Sequence, residues 1–224
     1  MRLMATILLI VVFASCSGQQ GLTNKEWYVL WDDGLMRYRF TGDSILTEST
    51  GFAYEPTGKK SGKVRIANTY RRNDLYCFVE RDDSIGGAAV FRATVVREPG
   101  NGSVMELLMN CAADDFSDSA EIAHAFFVCD TSKAMVIRLY DRNTVESFRK
   151  LKNIKDLTPT DHIKIFDLYK AAGVELNKKY KSQELWLISP FLRRQQLTDV
   201  LVAVGYNPLI DSQRMEKLGL SIYN

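Results

Sequence analysis

From Glu26 to Asp141 the chain is cut into short apolar runs of strand period, separated by turn-forming clusters, and no helical run interrupts them. Glu26 to Trp31 and Leu35 to Phe40 flank Asp32-Asp33-Gly34, which makes an aromatic-rich hairpin around a D-G turn. In the second run Met36, Tyr38 and Phe40 share one face while Arg37 and Arg39 take the other, so the strand has a core side and a wet side. Further strands are expected at Ser44–Glu48, Lys63–Ala67, Leu75–Glu80, Ala88–Arg97, Ser103–Cys111, Ile122–Cys129 and Ala134–Tyr140. Evenly spaced strands without crossover helices predict an antiparallel meander, closed as a barrel or folded as a sandwich.

After Asp141 the period changes. Asn143–Lys152 is a short charged helix. Thr158-Pro159-Thr160-Asp161 reads as a cap, a first-turn proline and an acidic third position, opening a helix that Gly173 is expected to stop. Ser189-Pro190 starts another, with Leu197, Val200, Leu201 and Val204 on one face before Gly205, and Asp211–Leu218 is a last short helix before Gly219. The fold class is therefore α+β: an antiparallel β-module over 26–141, followed by a mainly helical segment over 142–224 packed on it.

The N-terminus is of another kind. Arg2 precedes an apolar run from Leu3 to Phe13, then Ala14-Ser15-Cys16 and a polar stretch. The run is about half the ~20 residues that span a bilayer, so it reads as a signal peptide over 1–15 rather than a membrane helix. Its end resembles the lipobox of bacterial lipoproteins, with Phe13 where that family usually has Leu. The resemblance implies acylation of Cys16, a tether over 16–25, and residence in the cell envelope, at the outer membrane facing the periplasm.

Composition agrees with a folded body on a tether, with 46% hydrophobic and 25% charged residues. Net charge is +2, with 29 basic and 27 acidic side chains, and neither half of the chain is basic enough to argue for nucleic acid. The basic groups Arg149-Lys150-Lys152 and Lys178-Lys179-Lys181 read as solvated helix faces, with phospholipid headgroups as their functional alternative. With Cys16 acylated, Cys77, Cys111 and Cys129 remain. Buried free thiols are the simplest reading, and a Cys111–Cys129 bridge is the alternative.

Chemistry-bearing patterns are scarce. There are two histidines, and no nucleophile elbow, zinc helix, P-loop or dinucleotide fingerprint occurs, so no catalytic residue, metal site or cofactor is expected. His162 falls in a first helical turn and reads as solvated, whereas His124 alternates with Ile122, Phe126 and Val128 on an apolar face. Asp114, Asp115, Asp118 and Glu121 lack the spacing and glycine of a calcium loop.

Trp27 opening the first strand, the following run Tyr38-Arg39-Phe40-Thr41-Gly42-Asp43-Ser44, and a meander of eight or nine strands resemble bacterial lipocalin-like lipoproteins. Asn24-Lys25-Glu26 stands before Trp27 instead of that family's G-x-W. The resemblance implies a barrel with a pocket for a small apolar ligand, near which Trp27, Tyr38 and His124 are expected. Asp43-Ser44-Ile45, Asp83-Ser84-Ile85 and Asp118-Ser119-Ala120 resemble the O-glycosylation sequon of exported Bacteroidetes proteins, which implies Ser44, Ser84 and Ser119 as acceptors. The expected function is that of a non-catalytic envelope lipoprotein that binds a protein partner. A lipocalin-like binder of a small apolar molecule is the alternative, and an unrecognised envelope enzyme the second.

Overall fold

A computed structural model describes residues 25–72, 75–82, 87–97, 102–110, 135–180 and 189–223. Eight strands follow one another: β1 (Glu26–Leu30), β2 (Leu35–Phe40), β3 (Ser44–Thr50), β4 (Pro56–Arg72), β5 (Leu75–Asp82), β6 (Gly87–Arg97), β7 (Ser103–Asn110) and β8 (Met135–Asp141). Each pairs antiparallel with the next, and β1 also pairs with β8, so the order closes on itself as a barrel. The closing seam is short. Only Trp27↔Asp141 and Tyr28↔Tyr140 are in register across it, against five residue pairs between β1 and β2.

Alternation decides what goes inside. Trp27 stands opposite Tyr38, Val29 opposite Met36, Phe40 opposite Ile45, Met105 opposite Leu139 and Leu107 opposite Ile137. These side chains, with Val64 and Ile66, form one continuous apolar cluster on the inner face, where Trp27 and Met105 are fully buried.

The hairpin falls where the D-G turn placed it, with Leu30 opposite Leu35 and the Trp31 N–H bonded to the Gly34 carbonyl at 3.0 Å. Gly34 is required for space: a Cβ there would stand 2.1 Å from the Thr50 carbonyl oxygen on β3. β4 is far longer than the Lys63–Ala67 expected for it. It extends on both sides, and the residues from Pro56 to Gly62 are exposed, so they carry no apolar alternation and pair with β3 at Pro56, Ser61 and Gly62 across a bulge at Ser49. The expected strand Ile122–Cys129 lies outside the described residues.

Four helices follow: α1 (Arg142–Phe148), α2 (Pro159–Tyr180), α3 (Ser189–Val204) and α4 (Ser212–Lys217). Asp141 ends β8 and caps α1, its carboxylate accepting from the Thr144 N–H at 2.9 Å. Thr158 caps α2, accepting from the Asp161 N–H at 3.1 Å. Gly205 and Gly219, at φ +88° and +71°, take the left-handed conformation that ends α3 and α4. Gly173 does not stop α2. A mid-helix glycine costs only about 1 kcal/mol, and the residues after it are helix formers laced by a Glu175–Lys178 ion pair at 2.7 Å.

The outer faces of β1, β2, β7 and β8 are covered by α1. Tyr28, Leu30, Leu35, Val104 and Tyr140 pack there against Val145 and Phe148. Tyr54, in the β3–β4 turn, fastens this layer from a left-handed backbone at φ +70°. That conformation is strained for a tyrosine, and its ring contacts with Tyr28 at 5.1 Å and the Arg142 guanidinium at 4.7 Å offset the strain. The helices have a core of their own, in which Ile165, Leu197, Leu201 and Leu220 are fully buried. The fold is thus α+β, a meander followed by helices packed on it.

Candidate functional site

The residues expected near a pocket fall in two places. Trp27 and Tyr38 do face each other across β1 and β2 on the inner side. His124 lies outside the described residues, as do Cys16, Cys111, Cys129, Ser84 and Ser119. Around Trp27 the inner face is filled by the aliphatic and aromatic side chains of the core cluster. The indole N–H is nevertheless buried without a hydrogen-bond partner. Ser44 is buried, with its hydroxyl bonded to Asp43 at 2.7 Å, so it does not present the accessible edge that a glycosylation acceptor needs. His162 is held rather than merely solvated, its Nε2 bonding the Leu218 carbonyl oxygen at 3.0 Å.

Open space lies on the outer side, where α3 crosses β8. The seam with β1 ends at Tyr140, so the next edge groups of β8 need another partner. Gln195 of α3 supplies it: its Nε2 donates to the Val136 carbonyl at 2.9 Å and its Oε1 accepts from the Arg138 N–H. One carboxamide thus stands in for a neighbouring strand. Beside it the Arg138 guanidinium bonds both Asp199 oxygens, at 2.6 and 2.7 Å, and lies 3.7 Å from Glu106. On one side of this ion pair is a groove of about 530 Å³, walled by Val104, Tyr140, Phe148, Leu151 and Val202. On the other a space of about 370 Å³ reaches Tyr180 and Leu192. Over the outer side of α2 and α3 runs a shallow apolar surface formed by Leu168, Ala171, Val174, Val200 and Ala203. Leu168, Val174 and Val202 are among the large apolar side chains the protein leaves exposed.

Beneath the groove sits Arg194, fully buried. Its Nη2 donates to the carbonyls of Ile210 at 2.8 Å and Pro208 at 3.1 Å, and its Nη1 meets the Met215 sulfur at 3.0 Å. Burial lowers this guanidinium to about 10, partly offset by the Asp32 carboxylate. Asp32 has one buried oxygen without a hydrogen-bond partner and accepts the Tyr223 hydroxyl on the other. The hairpin turn and the last residues of the chain are therefore tied together over the buried cation.

Arg138, Gln195 and Arg194 were not singled out in the sequence, and a weak signal for each was present. Arg138 interrupts an apolar strand, and Arg193-Arg194-Gln195-Gln196 places four polar residues at the start of a helix that has to bury a face. Chemically, the groove has apolar walls and an ion pair whose donors are already committed. Among the described residues no group of three His, Cys, Asp or Glu side chains is placed to hold a metal ion.

Buried phenols make the fold sensitive to alkali. Burial, then Glu146, pushes Tyr54 up to about 12, and burial also raises Tyr28 and Tyr140. A raised phenol favours its neutral form in the fold, so this stabilisation is complete below pH about 10 and is lost as pH rises toward 12. Arg194 has the opposite sign, because the folded state releases its proton first, but it is a single group set against several raised phenols. The urea midpoint should stay level from pH 7 to about 9.5 and fall above 10. Tyr54→Phe should flatten the fall, and an unchanged slope would remove this phenol as a cause.

No family model, curated protein or solved structure matches the chain.

Proposed function

We propose that this protein is a lipid-anchored component of a bacterial cell envelope that acts by binding another envelope protein and not by catalysis. The observation that carries the reading is where apolar surface is filled and where it is left open. The inner face of the barrel is packed around Trp27, whereas α2 and α3 present Leu168, Val174 and Val202 outward beside the Arg138–Asp199 groove. Exposed apolar side chains gathered on one surface mark contact sites. The signal-like N-terminus ending at Cys16 supports the anchor and the compartment.

Photo-crosslinking in intact cells tests it. A photoreactive residue at Val174 or Val202 should give a discrete protein adduct, one at exposed Lys155 should not, and Leu168→Glu should abolish the adduct. Adducts that are diffuse, or that survive Leu168→Glu, overturn the partner reading. Intact mass of the native protein decides the anchor separately, since an unmodified Cys16 overturns that part alone.

A second reading, binding of a small apolar ligand inside the barrel, is favoured by one observation, the buried indole N–H of Trp27 that no acceptor meets. A ligand carbonyl or ether would satisfy it. Organic extraction of the purified native protein followed by mass spectrometry should then yield a stoichiometric compound, and extracts matching the buffer blank remove this reading.

A further inference from the structure

The helices pack on β1, β7, β8 and the Leu35 end of β2, and among the described residues β3, β4 and the Arg39 end of β2 carry no comparable helix cover on their outer face. Because β2 turns Tyr38 and Phe40 inward, Arg39 faces out. Because β4 turns Val64 and Ile66 inward, Lys63 and Arg65 face out. The register lines these up: Glu26 stands opposite Arg39, Arg39 opposite Leu46 and Leu46 opposite Lys63, while Ser44 stands opposite Arg65 one step nearer the strand ends. Neighbouring strands lie about 4.8 Å apart, so Arg39 and Lys63 are roughly 10 Å from each other across half-buried Leu46. Lys25, Arg39, Lys63 and Arg65 are all exposed.

Asp43 offsets part of the Lys63 charge, while Glu26 and Glu48 are engaged elsewhere. Glu26 is taken by the Tyr28 hydroxyl at 2.6 Å and by Arg37 at 3.2 Å, and Glu48 is taken by Arg37. Asp43 is exposed in the β2–β3 turn with its carboxylate accepting from Ser44 at 2.7 Å and Thr41 at 3.1 Å. On β5 the register places a further basic residue, Arg81, opposite Arg65. This is the end of the barrel at which β1 begins. The nine positions from Cys16 to Lys25 reach at most about 30 Å.

We propose that this wall is a docking surface for anionic lipid headgroups, which lays the barrel against the membrane with β2, β3 and β4 toward the lipid and the α2–α3 surface away from it. The inference rests on the reading of Cys16 as the anchor, because the tether delivers this end of the barrel, and no other, to within reach of the headgroups. Charge complementarity selects the occupant. Each Lys or Arg near an anionic surface contributes on the order of 1 kcal/mol, with the effect confined to about a Debye length, so a weak patch that is useless in solution holds an orientation once a lipid chain keeps it close.

Co-flotation with vesicles tests it, using the full mature chain from residue 17 without lipid, so that the surface is read independently of the anchor. At millimolar lipid and low salt, vesicles of 40% phosphatidylglycerol in phosphatidylcholine should float the protein, pure phosphatidylcholine should not, and 0.5 M salt should release it. The exposed triple variant R39Q/K63Q/R65Q should lose binding at least tenfold while its circular dichroism and melting temperature stay unchanged. K164Q/K178Q/K179Q, which removes the same charge from α2, should bind within twofold of the parent. Absence of binding to the anionic vesicles, equal loss in the two variants, or retained binding in the first overturns the proposal, and none of these results bears on whether Cys16 is acylated.

Discussion

Trp27→Ala should unfold the protein more readily than any other single truncation of the inner face, lowering stability by about 3–5 kcal/mol. The indole is fully buried and touches strands on both sides of the seam, so its loss opens a cavity where β1 meets β2 and β8. Strands held by backbone pairing cannot collapse into that space. Trp27→Phe should cost much less. It keeps most of the volume and removes an N–H that is buried without an acceptor, which returns part of what the smaller ring loses. Chemical denaturation of both variants gives the comparison. If Trp27→Phe proves as damaging as Trp27→Ala, the indole N–H has a partner in solution, and a bound ligand becomes the first candidate for it.

Gln195→Leu should be nearly as severe, at about 2–4 kcal/mol, although the side chain is only half-buried. Its carboxamide satisfies the Val136 carbonyl and the Arg138 N–H where β1 no longer reaches them, and leucine leaves both unpaired under α3. Glutamate at this position can still accept from Arg138 but has nothing to donate to Val136, so Gln195→Glu should fall between. Amide hydrogen exchange adds a local readout. The Arg138 amide should lose protection in the leucine variant far more than the amides of β2 and β3, and uniform loss through the barrel would show a general weakening instead.

Much of the architecture was legible because the signals are local. The Asp33-Gly34 turn, the Thr158 cap, and Gly205 and Gly219 beyond their helices act over three or four residues. The structure uses each as read. Alternation likewise put Met36, Tyr38 and Phe40 on one face, where β2 turns them toward the inner core. What local pattern could not show was polar structure made by distant partners. The stretch from Pro56 to Gly62 has no apolar face, and its register with β3 at Pro56, Ser61 and Gly62 is what carries it as strand. Gln195 and Asp199 look like any polar residues on a helix until β8 is laid beneath them, and Arg194 looks exposed until the carbonyls of Pro208 and Ile210 close over it. Gly173 shows the converse, since a residue that often ends helices is carried through by the formers that follow it.

The seam between β1 and β8 also governs when this chain can finish folding. Trp27 and Tyr28 find their partners at Asp141 and Tyr140, on the order of a hundred residues later. Closing a loop of that length costs entropy that the two register pairs, the shared inner core of Trp27 and Leu139 and the α1 layer over Tyr28 and Tyr140 have to offset. The hairpins of β2 to β7 can form locally while the chain is still emerging, but the first strand has to wait for the eighth, and its open edge stays exposed meanwhile to any other extended segment. Were the chain exported to the envelope as proposed, and delivered unfolded and amino end first, that interval would be when it most needs a chaperone; a slow final phase in refolding, accelerated by nothing that acts on β2 to β7, is the kinetic signature of the seam.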